Sequence, residues 1–423
     1  MMRRGILRSL LAAALSLAVA ATSASVRETR TFASPTPAAY VSDEYTSASS
    51  ETLTAAASAE TFSYRPTAGT LSAQKPMPSF NTEAAAYALI EFTTGTMIAG
   101  QNCDMPLPMA STTKIMTALI VAERCRLDEL VEVDDSAIGT EGSSMYLQKG
   151  ESIKVRDLLY GLMLASGNDA AVALACHTAG SVEAFAELMN ERAERLGLKN
   201  THFVTPNGLT AKGHATTAYE LCLLTREALR NQELRAIFST QYYTTESGAY
   251  TRTFKNKNAL LWDYDGAIGV KTGYTEAAGR CLSFAAEREG MTVIGVVLNC
   301  RPMFEKAAML LDFAFENYCL CSVVESGASL ARAKVINGKQ NDLAVGAKNS
   351  IMALMQKGEA APFRLRFNIK PVEAPVSVGD TVGFVTVYDG ESIIGGTELV
   401  ALSAVRRLDF EDWFTALLSS FIA

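Results

Sequence analysis

The 423-residue sequence has little histidine and no excess of positive charge. Its formal net charge of −7 argues against nucleic acid as the main partner, because phosphate binding requires an excess of lysine and arginine. It contains neither a His-Glu-x-x-His nor a Gly-x-Ser-x-Gly pattern, which disfavours a zinc peptidase and a Ser-His-Asp hydrolase. We expect all three histidines to be structural or exposed at the surface; they are His177, His202 and His214.

The apolar run at the N terminus, Leu10–Ala21, is shorter than the roughly 20 residues that a membrane-spanning helix needs. Basic residues precede it (Arg3, Arg4 and Arg8), and small residues that offer a cleavage site follow it. This pattern predicts a secretory signal peptide over residues 1–25, with an uncleaved membrane anchor as the alternative. In either case we expect the protein to be exported.

Eight cysteines in an exported protein would normally suggest disulfides, but their positions do not favour pairing. No Cys-x-x-Cys pair and no Cys/His cluster with zinc spacing occurs, so we expect mostly reduced, buried thiols and no metal or other cofactor. Cys319 and Cys321 are too close for an unstrained bridge if they lie on one strand. The cysteines that lie singly in apolar segments, where a thiol packs as a small core residue, are Cys125, Cys176, Cys222 and Cys281.

The composition changes along the chain and divides it into regions. Residues 26–79 are rich in Ala, Ser, Thr and Pro without periodicity, which predicts a disordered linker. Residues 80–322 place strands at both ends of a helical middle, so we expect an α/β domain with a mostly antiparallel sheet flanked by helices. Residues 329–403 hold short strands separated by Pro and Gly, which predicts a small all-β domain. Residues 404–423 have the pattern of an amphipathic helix.

Hydrophobic patterning predicts the main elements of the α/β domain. The hairpin and the later strands are predicted at Ala86 to Phe92, Thr96 to Ala99, Gly266 to Gly273 and Leu282 to Leu298. The helices are predicted at Ser111 to Ala122, Val155 to Thr178, Ser181 to Leu196, Thr217 to Arg230 and Met303 to Tyr318.

Three short motifs follow one another in this domain: Ser111–Lys114 (Ser-x-x-Lys), Ser166–Asn168 (Ser-x-Asn) and Lys271–Gly273 (Lys-Thr-Gly). Each is weak alone, since Ser-x-x-Lys recurs at Ser72–Lys75 and Ser-x-Asn recurs at Ser79–Asn81. Those second copies lie in or beside the predicted linker, where nothing would hold a side chain in reactive geometry. The three later motifs therefore indicate a functional site through their order and separation, and not through any one of them alone.

The chemistry of a serine nucleophile explains this spacing. A hydroxyl needs an adjacent base, and Lys114 can reach Ser111 because residues three apart share a helix face. The amine must be partly neutral, which burial and a neighbouring charge such as Lys271 would favour. A helix start at Ser111 would aim free N–H groups at the charge that develops on a carbonyl. Lys271 and Thr272 offer donors to a terminal carboxylate, and Gly273 leaves room for a substrate backbone.

The sequences around the motifs resemble those of the D-alanyl-D-alanine carboxypeptidases, which are low-molecular-mass penicillin-binding proteins of peptidase family S11. Residues 108–119 resemble the active-site helix of the family, 160–171 its second motif and 269–275 its third. The resemblance covers roughly residues 82–318, and the β region that follows resembles the family's C-terminal domain. It implies a β-lactamase/transpeptidase-like fold and a membrane-anchoring function for the amphipathic tail. The alternative for the tail is a helix that packs on its own domain.

The resemblance also implies a mechanism and a substrate. Ser111 would attack the bond between the two terminal D-alanines of a peptidoglycan stem peptide, with Lys114 as the base. Ser166 and Lys271 would pass the proton to the leaving amine, and Asn168 would hold the substrate or Lys114. The N–H groups of Ser111 and Tyr274 would form the oxyanion hole, Thr272 and Gly273 would help to bind the substrate, and β-lactams would acylate Ser111. The site would then lie at the outer face of the cytoplasmic membrane or in the cell wall.

The sequence departs from the family pattern at the arginine that often binds the substrate carboxylate. Met303 stands at that position, so Arg301 is a candidate substitute and Lys271 with Thr272 is the alternative. Two other functions remain open: a β-lactamase and a non-catalytic wall-binding protein of the same fold. A class A β-lactamase would need a glutamate in a Glu-x-x-x-Asn setting near the site, which we do not expect here.

Overall fold

The computed structural model describes residues 83–359, 363–412 and 414–415. The predicted signal peptide (1–25), the linker (26–79) and the second motif copies at Ser72 and Ser79 all lie outside these residues. Over the part of the chain that is described, no helix is both long and apolar enough to cross a membrane.

The core of the α/β part is an antiparallel sheet. The α/β part contains the strands β1 (Ala86–Glu91), β2 (Met97–Gln101), β3 (Leu130–Glu132), β4 (Ser152–Lys154), β5 (Tyr242–Thr244), β6 (Thr253–Lys255), β7 (Ala267–Thr275), β8 (Gly279–Arg288) and β9 (Met291–Leu298). Among the described residues, five of these form one sheet in the order β2-β1-β9-β8-β7. The strand β7 therefore lies at an edge, with one side of its backbone available to other groups.

Helices cover both faces of this sheet. They are α1 (Lys114–Arg124), α2 (Val155–Tyr160), α3 (Asn168–Ala179), α4 (Val182–Arg195), α5 (Ala218–Arg230), α6 (Gln232–Ser239), α7 (Leu260–Asp263) and α8 (Met303–Asn317). Helix α1 contacts α3, α4 and α5 and is buried from Lys114 to Val121. On the opposite face α8 packs against β8 and β9. Each fully buried apolar side chain in these layers contributes roughly 1.5–3 kcal/mol. The predicted α/β layer of helices on an antiparallel sheet is confirmed.

Two predicted elements are divided in the structure. The predicted strand from Leu282 to Leu298 is the hairpin β8–β9, whose two-residue turn has positive φ at Glu289 (50°) and Gly290 (78°). The predicted helix from Val155 to Thr178 is also wrong, because a π-helical turn over Gly161–Ala165 ends it. Ser166, with φ of 64°, then redirects the chain before α3 begins. Since both pieces keep an apolar pattern, the hydrophobic spacing hides the break.

The remaining strands form the C-terminal β part: β10 (Tyr318–Val324), β11 (Ser329–Ile336), β12 (Asp342–Ala347), β13 (Ile351–Gln356), β14 (Phe363–Ile369), β15 (Val372–Glu373), β16 (Thr381–Asp389) and β17 (Ser392–Ala401). Within the described residues, six of them make a sheet in the order β14-β16-β17-β12-β11-β15, and β10 pairs with β13. The prediction of a small all-β domain after the α/β part is confirmed. The predicted tail helix is wrong at its start, because residues 404–409 are not helical and Val405 and Arg407 form β-bridges with Val376 and Gly338. The tail is helical at 410–412 and 414–415, and 413 and 416–423 lie outside the described residues.

The eight cysteines, all within the described residues, are free thiols, which agrees with the expectation of mostly reduced cysteines. Cys319 and Cys321 share strand β10, with their Sγ atoms 3.6 Å apart. The expectation of burial is correct for Cys222 and Cys281 but wrong for Cys125 and Cys176, which are only half-buried at the ends of α1 and α3.

Candidate active site

The first motif lies where a 3₁₀ turn, Ala110–Thr113, runs into α1. Ser111 is in that turn and Lys114 begins the helix, so their side chains share one face as predicted. Lys114 Nζ lies 2.9 Å from Ser111 Oγ. The preceding residue, Ala110, has φ of 49°, a left-handed conformation that is strained for a residue with a side chain. The chain thus presents the serine hydroxyl to the amine at a cost in backbone strain.

The Lys114 amine is fully buried and has three neighbours. Besides Ser111 Oγ, it lies 2.7 Å from Asn168 Oδ1 and 2.6 Å from the carbonyl oxygen of Asn207. Both of the latter are acceptors. A neutral amine has two N–H donors and one lone pair, so these two acceptors use both donors. The lone pair is then left for the Ser111 hydroxyl, which is the geometry required of a general base.

The second motif contributes Asn168 at the first turn of α3, with its amide held in one orientation. Its Nδ2 donates to the carbonyl oxygen of Glu141 at 2.6 Å, so Oδ1 must face Lys114. The next residue, Asp169, accepts hydrogen bonds from Ser144 Oγ at 2.6 Å and from two backbone N–H groups of the same loop. This carboxylate fixes the loop beside the motif and thereby positions Asn168.

Ser166 occupies the break between the π-helical turn and α3. Its φ of 64° and ψ of 36° are left-handed, and its side chain is only 5% exposed. Such strain in a polar residue near reactive groups is typical of a functional site. Ser166 thus lies just before the helix that begins at Asn168, and its hydroxyl makes no hydrogen bond to Lys114.

The third motif lies on the edge strand β7, directly against the nucleophile. A Cβ atom on Gly273 would lie 3.0 Å from the backbone nitrogen of Ser111, so only a glycine fits there without displacing the 3₁₀ turn. Lys271 is buried, and its Nζ donates to the carbonyl oxygen of Thr272 at 3.0 Å. Thr272 is half-buried, and the Tyr274 side chain is 55% exposed at the rim. The Lys-Thr-Gly strand and Ser111 thus border one site.

Burial and mutual repulsion depress the pKa of both lysines. Burial, followed by the charges of Lys271 and Lys257, holds the pKa of Lys114 well below its usual value. Burial and Lys257 lower the pKa of Lys271 to about 7. Near neutral pH the Lys271 amine can therefore exchange between its charged and neutral forms. The lowered pKa of Lys114 favours the neutral form that a base requires.

Several residues of this site were not predicted from the sequence. Lys257, an exposed residue whose Nζ donates to Ser143 Oγ at 3.0 Å, lies outside every motif. The loop Pro206–Gly208 covers the first turn of α1, where Pro206 and Asn207 carbonyls accept from Thr117 and Lys114. Backbone carbonyls leave no signal in a single sequence. The loop is held close by Gly208, whose Cβ would lie 2.0 Å from the Ala110 carbonyl oxygen.

Arg301 lies in the exposed turn before α8 and, among the described residues, is joined by no hydrogen bond or ion pair to Ser111, Lys114 or Lys271. A second arginine is closer to the edge strand. Arg280 is the cross-strand neighbour of Tyr274, and its guanidinium carbon lies 5.8 Å from the centre of the Tyr274 ring. Met303, at the position of the usual family arginine, is 6% exposed.

The remaining candidates have structural environments. His214 accepts from the Val204 N–H at Nδ1, so its Nε2 donates to Thr113 Oγ1 at 2.7 Å, and burial lowers its pKa to about 4. It is a neutral packing residue under the 3₁₀ turn. A Glu-x-x-x-Asn pattern does occur, at Glu227 and Asn231. Glu227 pairs with Arg192 and Arg230, and Asn231 caps α6, so neither residue is directed at a deacylating water.

A serine whose base is a lysine needs no histidine, and this pair beside a Lys-Thr-Gly edge strand defines the class of penicillin-binding serine enzymes. Sequence comparison narrows the class. Residues 70–301 match the family model of D-alanyl-D-alanine carboxypeptidase, peptidase family S11, and residues 318–407 match that of the penicillin-binding protein 5 C-terminal domain. The chain belongs to the D-alanyl-D-alanine carboxypeptidase family, which confirms the resemblance.

Individual relatives agree with the family model. The D-alanyl-D-alanine carboxypeptidase DacF of Bacillus subtilis is 32% identical over 342 residues, covering 78% of this chain and 87% of its own. The structure of penicillin-binding protein 5 from Haemophilus influenzae is similar with a TM-score of 0.65 and 28% identity, covering 78% of this chain and 99% of that one. A variant of the Streptomyces K15 DD-transpeptidase is similar with a TM-score of 0.53 and 36% identity, over 56% of this chain and 99% of its own.

Proposed function

We propose that this enzyme is a serine-type carboxypeptidase that removes the terminal D-alanine from peptidoglycan stem peptides. The observation that carries the proposal is the fully buried Lys114 amine, whose Nζ lies 2.9 Å from Ser111 Oγ. Lys114 takes the Ser111 proton while Oγ attacks the carbonyl carbon of the penultimate D-alanine. The backbone N–H groups of Ser111 and Tyr274 stabilise the oxyanion of the tetrahedral intermediate.

Collapse of the intermediate breaks the peptide bond. Ser166 and Lys271 relay to the leaving nitrogen the proton that Lys114 took from Ser111, so D-alanine departs as a neutral amine, Ser111 carries the acyl group as an ester and Lys114 is neutral again. Water then attacks the ester and gives a proton to Lys114. Lys114 returns this proton to Ser111 Oγ as the shortened stem is released. Asn168 holds Lys114 in place throughout, which its contact of 2.7 Å supports.

The substrate lies along β7 in this proposal. Its extended backbone meets the free edge of the strand near Gly273. The missing side chain of Gly273 gives room to the 3₁₀ turn that carries Ser111, and not to the substrate as the sequence predicted. Lys271 and Thr272 face its terminal carboxylate. Arg280 or Arg301 adds the cation that Met303 does not supply. β-Lactams, which present a similar carboxylate and carbonyl, acylate Ser111.

Labelled penicillin and a D-alanine release assay on a synthetic stem pentapeptide test the proposal. Ser111→Ala should abolish both signals and keep the thermal unfolding of the wild type, whereas Ser72→Ala in the second motif copy should change neither. Folded wild-type protein that takes no label would show a non-catalytic binding protein. Turnover of a chromogenic cephalosporin at many cycles per second would instead favour a β-lactamase.

Export and membrane attachment complete the proposal. The composition of residues 1–25 supports export, which places the enzyme at the outer face of the membrane or in the wall, beside its substrate. The tail supports membrane attachment: Phe410 and Phe414 are 73% and 46% exposed, and their rings stack 5.9 Å apart. Asp409 and Asp412, which would repel anionic lipid, both pair with Lys339.

Sedimentation with vesicles of anionic phospholipid tests the attachment. Replacing both phenylalanines (Phe410→Ser with Phe414→Ser) should release most of the protein into the supernatant, because interfacial binding scales with buried apolar area. Phe384→Ser, at an exposed phenylalanine of the β part, is the matched control. Equal binding of all three proteins would show that the tail is not the attachment site.

A further inference from the structure

A second group of reactive side chains lies at the opposite end of α1 from the active site. Cys125 follows the last residue of α1, Glu129 lies in the loop after it, and His177 is in the last turn of α3. Their ligand atoms, a thiol sulfur, a carboxylate oxygen and a ring nitrogen, all lie within 4.8 Å of one another. The 11-residue helix separates them from Lys114 by roughly 16 Å, at about 1.5 Å per residue.

The spacing of these atoms suits a tetrahedral ion. His177 Nε2 lies 3.1 Å from Glu129 Oε1. Ligands bound at about 2.0–2.3 Å in a tetrahedral site are roughly 3.3–3.8 Å apart, so small shifts of the side chains would complete the geometry. All three side chains are half-buried. An ion and a water molecule can therefore reach them from the solvent, while the rest of the protein covers their other side.

Neighbouring groups hold the first ligands in place. The Arg126 N–H donates to Glu129 Oε2 at 3.3 Å, which orients the carboxylate and leaves Oε1 directed at His177. Thr178 Oγ1 donates to the Leu174 carbonyl at 2.7 Å. Because its single hydrogen is used there, this hydroxyl accepts from the Cys125 thiol at 3.4 Å in the metal-free protein. When zinc binding removes the thiol proton, the hydroxyl turns its hydrogen from the Leu174 carbonyl to the Cys125 sulfur. Such outer contacts fix ligand orientation in metal sites.

We propose that Cys125, Glu129 and His177 bind a zinc ion, with water in the fourth position. Binding releases the Cys125 proton to solvent, so a thiolate, a carboxylate and a neutral imidazole together balance the charge of Zn²⁺. Thiolate and imidazole ligands favour zinc over the hard cations Mg²⁺ and Ca²⁺. An ordinary Glu129–His177 ion pair would explain the carboxylate and the imidazole, but it would not require a thiol beside them.

The position of the site suggests its function. Helices α1 and α3 begin at Lys114 and Asn168, the hydrogen-bonded pair of the catalytic centre, and the zinc ligands lie at or just beyond the far ends of the same two helices. An ion shared between those ends would fix the distance between the helices and stabilise the folded state. The sequence hides this site because Glu129 and His177 are 48 residues apart and follow no zinc motif.

Titration of chelator-treated enzyme with Zn²⁺ tests the proposal. We expect one ion per chain, a melting temperature that rises by several degrees, and little response to Mg²⁺ or Ca²⁺. Cys125→Ser and His177→Gln should each weaken binding at least tenfold. Cys176→Ser, at a nearby thiol that contacts Ser136 instead, should bind zinc as the wild type does. Co²⁺ should give a thiolate charge-transfer band that is lost in Cys125→Ser only.

Penicillin labelling of Ser111 reports whether each variant is folded, independently of the metal. If His177→Gln does not fold, Glu129→Gln provides the second ligand variant. Labelled, folded enzyme that binds no zinc would overturn the proposal. Equal zinc affinity in wild type, Cys125→Ser and His177→Gln would do the same, since the ion would then lie elsewhere.

Discussion

Lys114 Nζ lies 2.9 Å from Ser111 Oγ, and both N–H donors of the neutral amine are used by other partners. The hydroxyl and the amine therefore meet through the one remaining lone pair. In the proposed mechanism the two residues act as a single catalytic unit, in which the amine is a base only while it is uncharged. The burial of Lys114 and the nearby charges of Lys271 and Lys257 lower the pKa of Lys114, which favours the uncharged form.

Lys114→Met should fill the same volume without a base. General-base catalysis contributes about 10²–10⁴-fold, so we expect penicillin acylation to slow by at least a factor of about 100. The protein should remain folded, because the loss of the donors to Asn168 and Asn207, about 1–3 kcal/mol each, is partly offset by removing a buried amine. Stopped-flow labelling and thermal unfolding measure the two effects. Labelling at the wild-type rate would exclude Lys114 as the base.

The pH dependence of activity should report the two buried lysines. Activity requires a neutral Lys114 and so rises with pH through the depressed pKa of that residue. Activity also requires a protonated Lys271 and so falls above its pKa of about 7. Lys257→Gln removes a positive neighbour of both amines, which raises both pKa values. Both limbs of the profile should therefore move to higher pH.

Lys199→Gln, at an exposed lysine on the turn after α4, is the control for this shift. Its profile should match that of the wild type. Because Lys257 is exposed, high salt should also weaken its effect and move the wild-type limbs in the same direction as the substitution. A profile that is unchanged in Lys257→Gln would show that this charge does not act on the catalytic amines.

Some parts of the site could be predicted from the sequence and others could not. Side chains three apart on a helix are linked by covalent geometry, so the Ser111–Lys114 pair was predictable from spacing. The sheet and the β part followed from hydrophobic alternation. The break at Ser166 was not predictable, because the apolar pattern continues across it. Lys257 and the Asn207 carbonyl reach the site only through the tertiary packing of loops, which leaves no local pattern.

Gly208→Ala should disturb the fold at the nucleophile. The residue has φ of 86°, and an added Cβ would lie 2.0 Å from the Ala110 carbonyl oxygen. Gly290→Ala is the matched control, since it also has positive φ (78°) but no atom within 4 Å of the added Cβ. We expect the control to cost about 1–2 kcal/mol and Gly208→Ala about 3–5 kcal/mol.

Denaturant unfolding measures both costs, and penicillin labelling at a temperature where both variants are folded adds a second test. Gly208→Ala should also acylate more slowly, because the clash displaces the residue before Ser111. Equal destabilisation by the two substitutions would mean that the loop Pro206–Gly208 moves freely away from α1.

The substrate carboxylate offers a test between Arg280 and Arg301. Arg280 is the cross-strand neighbour of Tyr274 on the edge of the site, whereas Arg301 lies in the turn after β9, which is two strands away from β7. Hydrogen bonds to charged groups contribute about 1.5–3 kcal/mol, so losing the true partner should lower kcat/KM for a D-Ala-D-Ala peptide by about 10–100-fold. We expect this loss in Arg280→Gln and a value near wild type in Arg301→Gln.

A substrate whose terminal carboxylate is replaced by a carboxamide separates binding of that group from a general structural effect. The wild type should hydrolyse the amide poorly, and Arg280→Gln should reduce its hydrolysis no further, because the interaction is already absent. If Arg301→Gln instead loses activity on the acid and not on the amide, the cation is Arg301. In that case the turn before α8 must approach β7 when substrate binds. If neither substitution distinguishes the acid from the amide, Lys271 and Thr272 alone bind the carboxylate.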